Sequence, residues 1–174
     1  GLPATEGSSV AWMEPPLPDE DSEPARQAAW VRETNPVVDR SLTMGGAFAF
    51  PAEDGYVTFN SPEIQAAQVP GANGISSACS LARLYAACVS PVDGSPLLRP
   101  ESIDDAIRVQ SAGPQLTGAP DDGTRWGTGF QLASPPTCPM LGPASFGHAG
   151  AGGQLAFGDA SHRVGFAYLS NQMG

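Results

Sequence analysis

Four glycines, Gly147, Gly150, Gly152 and Gly153, crowd around one imidazole, His148, immediately before a stretch that reads as two strands and a turn. Leu155, Phe157, Val164, Phe166, Tyr168 and Leu169 are strand formers, and Gly158 to His162 between them supplies turn residues. The segment from Phe146 to Asn171 therefore predicts an antiparallel hairpin with a slightly long loop. Glycine weakens a strand, so its concentration beside one marks a place where a ligand or a second backbone comes close.

The remainder of the chain is punctuated throughout. With 21 Gly and 18 Pro among 174 residues, it fits short elements joined by many loops better than a helical bundle, while 41% hydrophobic content permits a buried core. Ser76 or Ser77 suits an N-cap, and Ala78, Leu81, Ala82, Tyr85, Ala86 and Val89 recur at three and four residue steps, predicting an amphipathic helix that ends near Ser90-Pro91. A second helix is expected from Pro100 to about Gln110, with Glu101, Asp104 and Asp105 at its positive end. Asn60-Ser61-Pro62 resembles a helix entry, and Pro24 to Thr34 fits a short helix. Ser41 to Phe50 favours no single state.

Between these, Val69 to Gly74 reads as a loop whose Asn73-Gly74 pair suits positive φ, and Glu53-Asp54-Gly55 and Asp121-Asp122-Gly123 read as turns. Ser111 to Arg125 is expected to be loop, Trp126 to Leu132 one strand, and Ser134 to Pro143 a proline-broken connection. Trp126, Phe130, Phe157 and Phe166 are assigned to the core. Three or four antiparallel strands packed with helices make an α+β arrangement. Residues 1–22 are expected to form an extended acidic, Pro-rich segment, and 23–174 the folded part.

Charge and cysteine usage narrow the function classes. Eighteen acidic residues against eight basic give a net charge of -10, which argues against nucleic-acid and anionic-membrane partners, both of which need clustered cations. The opening residues do not resemble a signal peptide, and no apolar run approaches the length needed to cross a bilayer; the compartment stays open, with the cytoplasm preferred. Cys79 and Cys88 fall half a rotation apart on the expected helix and cannot bridge, so the cysteines read as small buried apolar groups. Two isolated histidines and three scattered cysteines match no ligand spacing, and neither a metal nor another cofactor is expected.

The run Phe146-Gly147-His148-Ala149-Gly150-Ala151-Gly152-Gly153, then a strand, then Phe157-Gly158-Asp159 and Gly165-Phe166-Ala167-Tyr168-Leu169-Ser170-Asn171, resembles the third conserved block of the penicillin-recognising serine hydrolases. It is most similar to that of the family VIII carboxylesterases and their actinobacterial, class C β-lactamase-related kin, in which a His-containing triplet replaces Lys-Thr-Gly. Here the triplet is His148-Ala149-Gly150. Val69 to Gly74 followed by Ser80 to Tyr85, the stretch Trp126 to Phe130, and the opening Gly1-Leu2-Pro3 are similar to other segments of that family, in the same order. The resemblance implies the C-terminal portion of a β-lactamase/transpeptidase-like fold.

The resemblance also implies chemistry. The triplet strand would border an active-site cleft, with Ala149, Gly150, Gly152 and Gly153 along it. The Ala151 backbone N–H would serve in an oxyanion hole, and His148 would take the place of the lysine as a catalytic hydrogen-bonding group. Fixed donors aimed at a developing oxyanion are what acyl transfer requires, and an amide among glycines can approach closely. The family's nucleophile lies in a Ser-x-x-Lys block, and this chain contains no lysine, since all eight basic residues are Arg. The expected partners are therefore a small ester or amide substrate and an N-terminal portion of the same hydrolase that carries the Ser-x-x-Lys and Tyr blocks. A non-catalytic binding or structural module of the same fold is the alternative. His162, beside Asp159, Ser161 and Arg163, is expected to be a surface turn residue and not a triad member. Ser145 lacks the Gly-x-Ser-x-Gly spacing of a nucleophile elbow. Asn171 is read as structural.

Overall fold

The structure, a computed structural model, describes residues 1–15, 29–30, 33–47, 58–94, 96–114, 121–150 and 152–172. These fall into two compact units, one of residues 1–75 with 171–174 and one of residues 76–170.

The second unit carries a six-stranded antiparallel meander: β1 (Ser111–Ala112), β2 (Arg125–Trp126), β3 (Gln131–Leu132), β4 (Ser145–Ala149), β5 (Leu155–Asp159) and β6 (Val164–Tyr168), each hydrogen-bonded to its neighbour in sequence. The hairpin expected from the sequence is β5 and β6, but tighter than expected. Gly158 and Asp159 belong to β5, opposite Gly165 and Val164, and the turn is confined to residues 160–163. Leu169 lies beyond β6.

Two helices of this unit follow the sequence closely, and we number them α3 and α4 after two in the first unit. α3 spans Ala78–Val89, with the Ser77 hydroxyl accepting the Ser80 N–H at 3.1 Å. α4 spans Pro100–Ile107, shorter than expected because Arg108 already has an extended backbone at ψ 127°. α3 packs directly on β5 and β6. A Cβ at Gly165 would stand 2.1 Å from the Ala82 carbonyl oxygen and 2.3 Å from the Ala86 nitrogen, so only glycine lets helix and strand approach this far. Phe146, Leu132, Val89 and Ala106 form the core between sheet and helices, with Phe130 edge-on to Phe146 at 4.9 Å. Cys138, Met140 and Phe157 make a second cluster, with Leu155 and Ala133 packed on it.

Four sequence readings are corrected in this unit. The single strand expected from Trp126 to Leu132 is a hairpin: Gly129 takes φ +79°, and Gly127 N–H donates to the Phe130 carbonyl at 2.8 Å, so the chain reverses between β2 and β3. Ser111 and Ala112, read as loop, pair with Trp126 and Arg125, because a new edge partner became available once the strand was folded back. Trp126 and Phe166, assigned to the core, are 39% and 42% exposed, whereas Phe157 is buried. Cys79 is likewise exposed, while Cys88 is half-buried and Cys138 buried. Asp121-Asp122-Gly123, read as a turn, forms no backbone turn; the Asp121 and Asp122 carboxylates accept the Gly123 and Thr124 N–H groups, and Gly123 takes φ +84°.

In the first unit, α1 (Pro36–Leu42) and α2 (Pro62–Ala66) each begin with proline after a capping side chain, Asn35 and Ser61 respectively. α2 fulfils the expected entry at Asn60-Ser61-Pro62; α1 went unforeseen, although Asn35-Pro36 carries the same signal. Residues 4–9 form a 3-10 helix. Buried Asn60 pairs both ends of its amide with the Met13 backbone, at 2.7 and 2.8 Å. Neither Asn73 nor Gly74 takes positive φ. The Asn73 amide instead ties the loop, donating to the Ile64 and Ala67 carbonyls and accepting from the Val69 N–H. The Asn171 side chain donates to the Trp12 carbonyl at 3.0 Å, in keeping with a structural role. The turn expected at Glu53-Asp54-Gly55 lies outside the described residues, as does most of the helix expected from Pro24 to Thr34.

Candidate active site

β4 changes character halfway along. Ser145, Phe146 and Gly147 are buried, whereas His148, Ala149 and Gly150 are exposed. The strand thus leaves the core at the histidine. It nevertheless stays laddered to β5, His148 opposite Ala156 and Ala149 opposite Leu155, and Gly150 N–H donates to the Gln154 carbonyl at 2.7 Å. Gly152 and Gly153 then take φ +82° and +84°, conformations that bring the chain round into β5 and that side chains disfavour. Ala151 lies outside the described residues.

The His148 ring sits 5.4 Å from the Trp126 indole, tilted by 51°. Its Nδ1 contacts the Ala149 carbonyl. With the hydrogen on Nδ1 the neutral ring would present Nε2 as an acceptor, and the protonated ring would present it as a donor. On the other side of β4, the buried Gln131 side chain accepts the Ala149 N–H through Oε1 at 3.1 Å. Nothing in the spacing of the sequence pointed to Gln131. The only available signal was a polar residue between Phe130 and Leu132.

At the opposite end of β4 and β5 stands a second polar cluster, and there the sequence misled. Asp159, expected at the surface of a turn, is fully buried. It accepts hydrogen bonds from the Ser145 hydroxyl at 2.6 Å, the Ser161 hydroxyl at 2.7 Å, and the His162 backbone N–H and ring Nδ1 at 2.8 and 2.9 Å. Burial raises the carboxyl's pKa, but these donors outweigh it and hold Asp159 well below the usual carboxylate range. Although Ser, Asp and His meet here, they do not form a nucleophilic triad. Ser145 is inaccessible and its hydroxyl donates to the aspartate, not to the imidazole. His162 is exposed, as expected for the turn. Tyr168-Leu169-Ser170 spells Tyr-x-Ser, yet it follows the glycine-rich block, whereas the resembled family's tyrosine block precedes it.

Among the described residues, no group of three His, Cys, Asp or Glu is placed to hold a metal ion, and no helix is long and apolar enough to cross a membrane.

An antiparallel sheet backed by helices is the fold the sequence resemblance implied. Residues 14–174 match the model of the beta-lactamase family, and the chain belongs to that family. No curated protein matches. Solved structures do. A penicillin-binding protein homologue from Caulobacter crescentus superposes with a TM-score of 0.67 at 27% identity, covering 100% of this chain and 42% of its own. EstA from Arthrobacter nitroguajacolicus Rue61a and a family VIII carboxylesterase each superpose with a TM-score of 0.69 at 26% identity over 100% of this chain, covering 43% and 41% of their own. The chain therefore spans well under half the length of these structural neighbours and carries part of the β-lactamase/penicillin-binding-protein fold.

Proposed function

We propose that this chain supplies the glycine-rich cleft wall of a serine hydrolase of the carboxylesterase/β-lactamase type, acting through an acyl-enzyme. The serine nucleophile, in a Ser-x-x-Lys block, and the tyrosine block come from residues outside these 174. The observation that carries this reading is the emergence of β4 from the core at the triplet, with His148, Ala149 and Gly150 exposed while the strand stays laddered to β5. The Ala149 and Gly150 N–H groups are already taken by Gln131 and Gln154, so an oxyanion at this end of the strand would need the next donor along the chain. Ala151 N–H is the proposed oxyanion donor.

In the proposed reaction the external serine adds to the carbonyl carbon of a small ester or amide, and the carbonyl oxygen becomes the oxyanion. The leaving alcohol or amine departs with a proton, and water then releases the acid from the acyl-serine. His148, through Nε2, hydrogen-bonds within the proton network of the nucleophile or to the acyl group. The similarity to a family VIII carboxylesterase supports an ester as substrate.

The test is complementation: the 174 residues are mixed or co-expressed with an N-terminal portion carrying Ser-x-x-Lys and Tyr, and hydrolysis of a short-chain nitrophenyl ester is followed. Activity above that of the separate parts is expected, with His148→Ala lowering kcat by about 10²-fold. No gain on mixing would favour a non-catalytic module. Wild-type turnover in His148→Ala would remove His148 from the site.

A further inference from the structure

We propose that Gln131 is a positioning residue for the His148-Ala149-Gly150 strand: its side-chain carbonyl stands in for a backbone acceptor that β3 cannot supply. The structural half of this proposal is independent of function, and the catalytic half rests on the hydrolase reading above.

In an antiparallel ladder, successive residues aim their N–H groups at alternate neighbours. Gly150 donates to Gln154 on the β5 side, so the Ala149 N–H points the other way, towards β3. There the ladder runs out. Leu132 pairs with Phe146 and Gln131 with Gly147, but the residues before Gln131 have already turned back through Gly129 to form the β2–β3 hairpin. No backbone carbonyl of β3 stands opposite Ala149. Gln131 reaches that position with its side chain instead, and Oε1 accepts the Ala149 N–H at 3.1 Å.

A side-chain amide carbonyl is chemically the backbone acceptor it replaces, and Gln131 is only 8% exposed, so the acceptor end of this part-buried bond is withdrawn from water. The same hairpin holds Trp126 against the His148 ring. It thus grips the triplet twice, once by its backbone and once by its imidazole. Without Gln131, β4 would be held on its β5 side alone just where it leaves the core, and a small displacement there moves the triplet relative to a reacting carbonyl.

Two variants separate the acceptor from the bulk of the side chain. Gln131→Met keeps the length and loses the acceptor oxygen, and Gln131→Glu keeps an acceptor. Amide hydrogen exchange of the full chain by NMR is the first readout. In Gln131→Met the Ala149 amide is expected to exchange about 5- to 10-fold faster, with the Gly150 amide unchanged, and in Gln131→Glu Ala149 is expected to remain protected. Unchanged Ala149 exchange in Gln131→Met, or equal acceleration at Ala149 and Gly150, would overturn the proposal.

The second readout is the complemented hydrolase. Gln131→Met should lower kcat about tenfold or more with KM little changed, and Gln131→Glu should recover most of the loss. A wild-type kcat in Gln131→Met would overturn the positioning role even with Ala149 deprotected. An inactive wild-type complex would overturn the proposed function alone, leaving the exchange data to decide on Gln131.

Discussion

At the scale of single residues, Asp159 is the side chain on which the β4–β5 pairing depends most. A fully buried carboxylate is costly unless its acceptor sites are filled, and here two hydroxyls, one backbone N–H and one imidazole fill them. Asp159→Asn places an amide NH2 among groups that themselves donate, and should destabilise the chain by about 2–4 kcal/mol at pH 7, measured by urea unfolding. The pH dependence follows from the lowered pKa. The carboxylate's contribution is complete above the unfolded value near 3.8 and is lost as pH falls from there towards the folded value. The gap between wild type and Asp159→Asn should therefore narrow below pH 4; a gap that widened there would contradict the network. None of this was legible beforehand, because a Gly-Asp-Ala-Ser-His string looks like any surface turn, and only the register Ser145 opposite Asp159 buries it. The cysteines make a similar point. Burial pushes the Cys88 and Cys138 thiols up, while Cys79 lies at the surface. Under native conditions a thiol reagent should label Cys79 first and Cys138 only on unfolding, as peptide mapping would show.

Among elements, the decisive contact is α3 on β5 and β6. Gly165 allows it, and Gly165→Ala would drive a methyl group into the helix backbone at Ala82 and Ala86, which cannot shift as a side chain end could. A loss of at least about 3 kcal/mol is expected, and a thermal midpoint within a degree or two of wild type would contradict the packing. α3 was readable because its cap, period and stop agree: Ser77, the apolar residues at three and four residue steps, and Ser90-Pro91. β5 and β6 were readable from their strand formers and the turn residues between them. The short strands β1, β2 and β3 were not, since two-residue strands have no period of their own and exist through their neighbours. For the same reason the sequence drew attention to His148 and the glycines and was silent about Gln131, whose role arises only where the β2–β3 turn ends the ladder.

On the scale of the molecule, the sheet shows a surface that invites association. Among the described strands β6 has a partner on one side only, and Val164, Phe166 and Tyr168 are 41%, 42% and 55% exposed along it. An open edge with apolar side chains templates further pairing. The chain alone should self-associate in sedimentation velocity runs, and Phe166→Lys should reduce that association; a monomer at high concentration would contradict it. The fold class, the family and the glycine-rich block were all legible from the sequence as a set of ordered segments, because their resemblance does not depend on any one contact.

Whether this chain walls the cleft of an acyl-transferring hydrolase is decided by trapping the acyl-enzyme. The 174 residues are combined with an N-terminal portion bearing the Ser-x-x-Lys block, exposed to a slowly deacylating ester, and the intact masses are measured. One acyl group is expected on the serine of the N-terminal portion, formed only when this chain is present and at least tenfold more slowly with His148→Ala. An adduct formed equally well without this chain, or none with it, would rule out the proposed function.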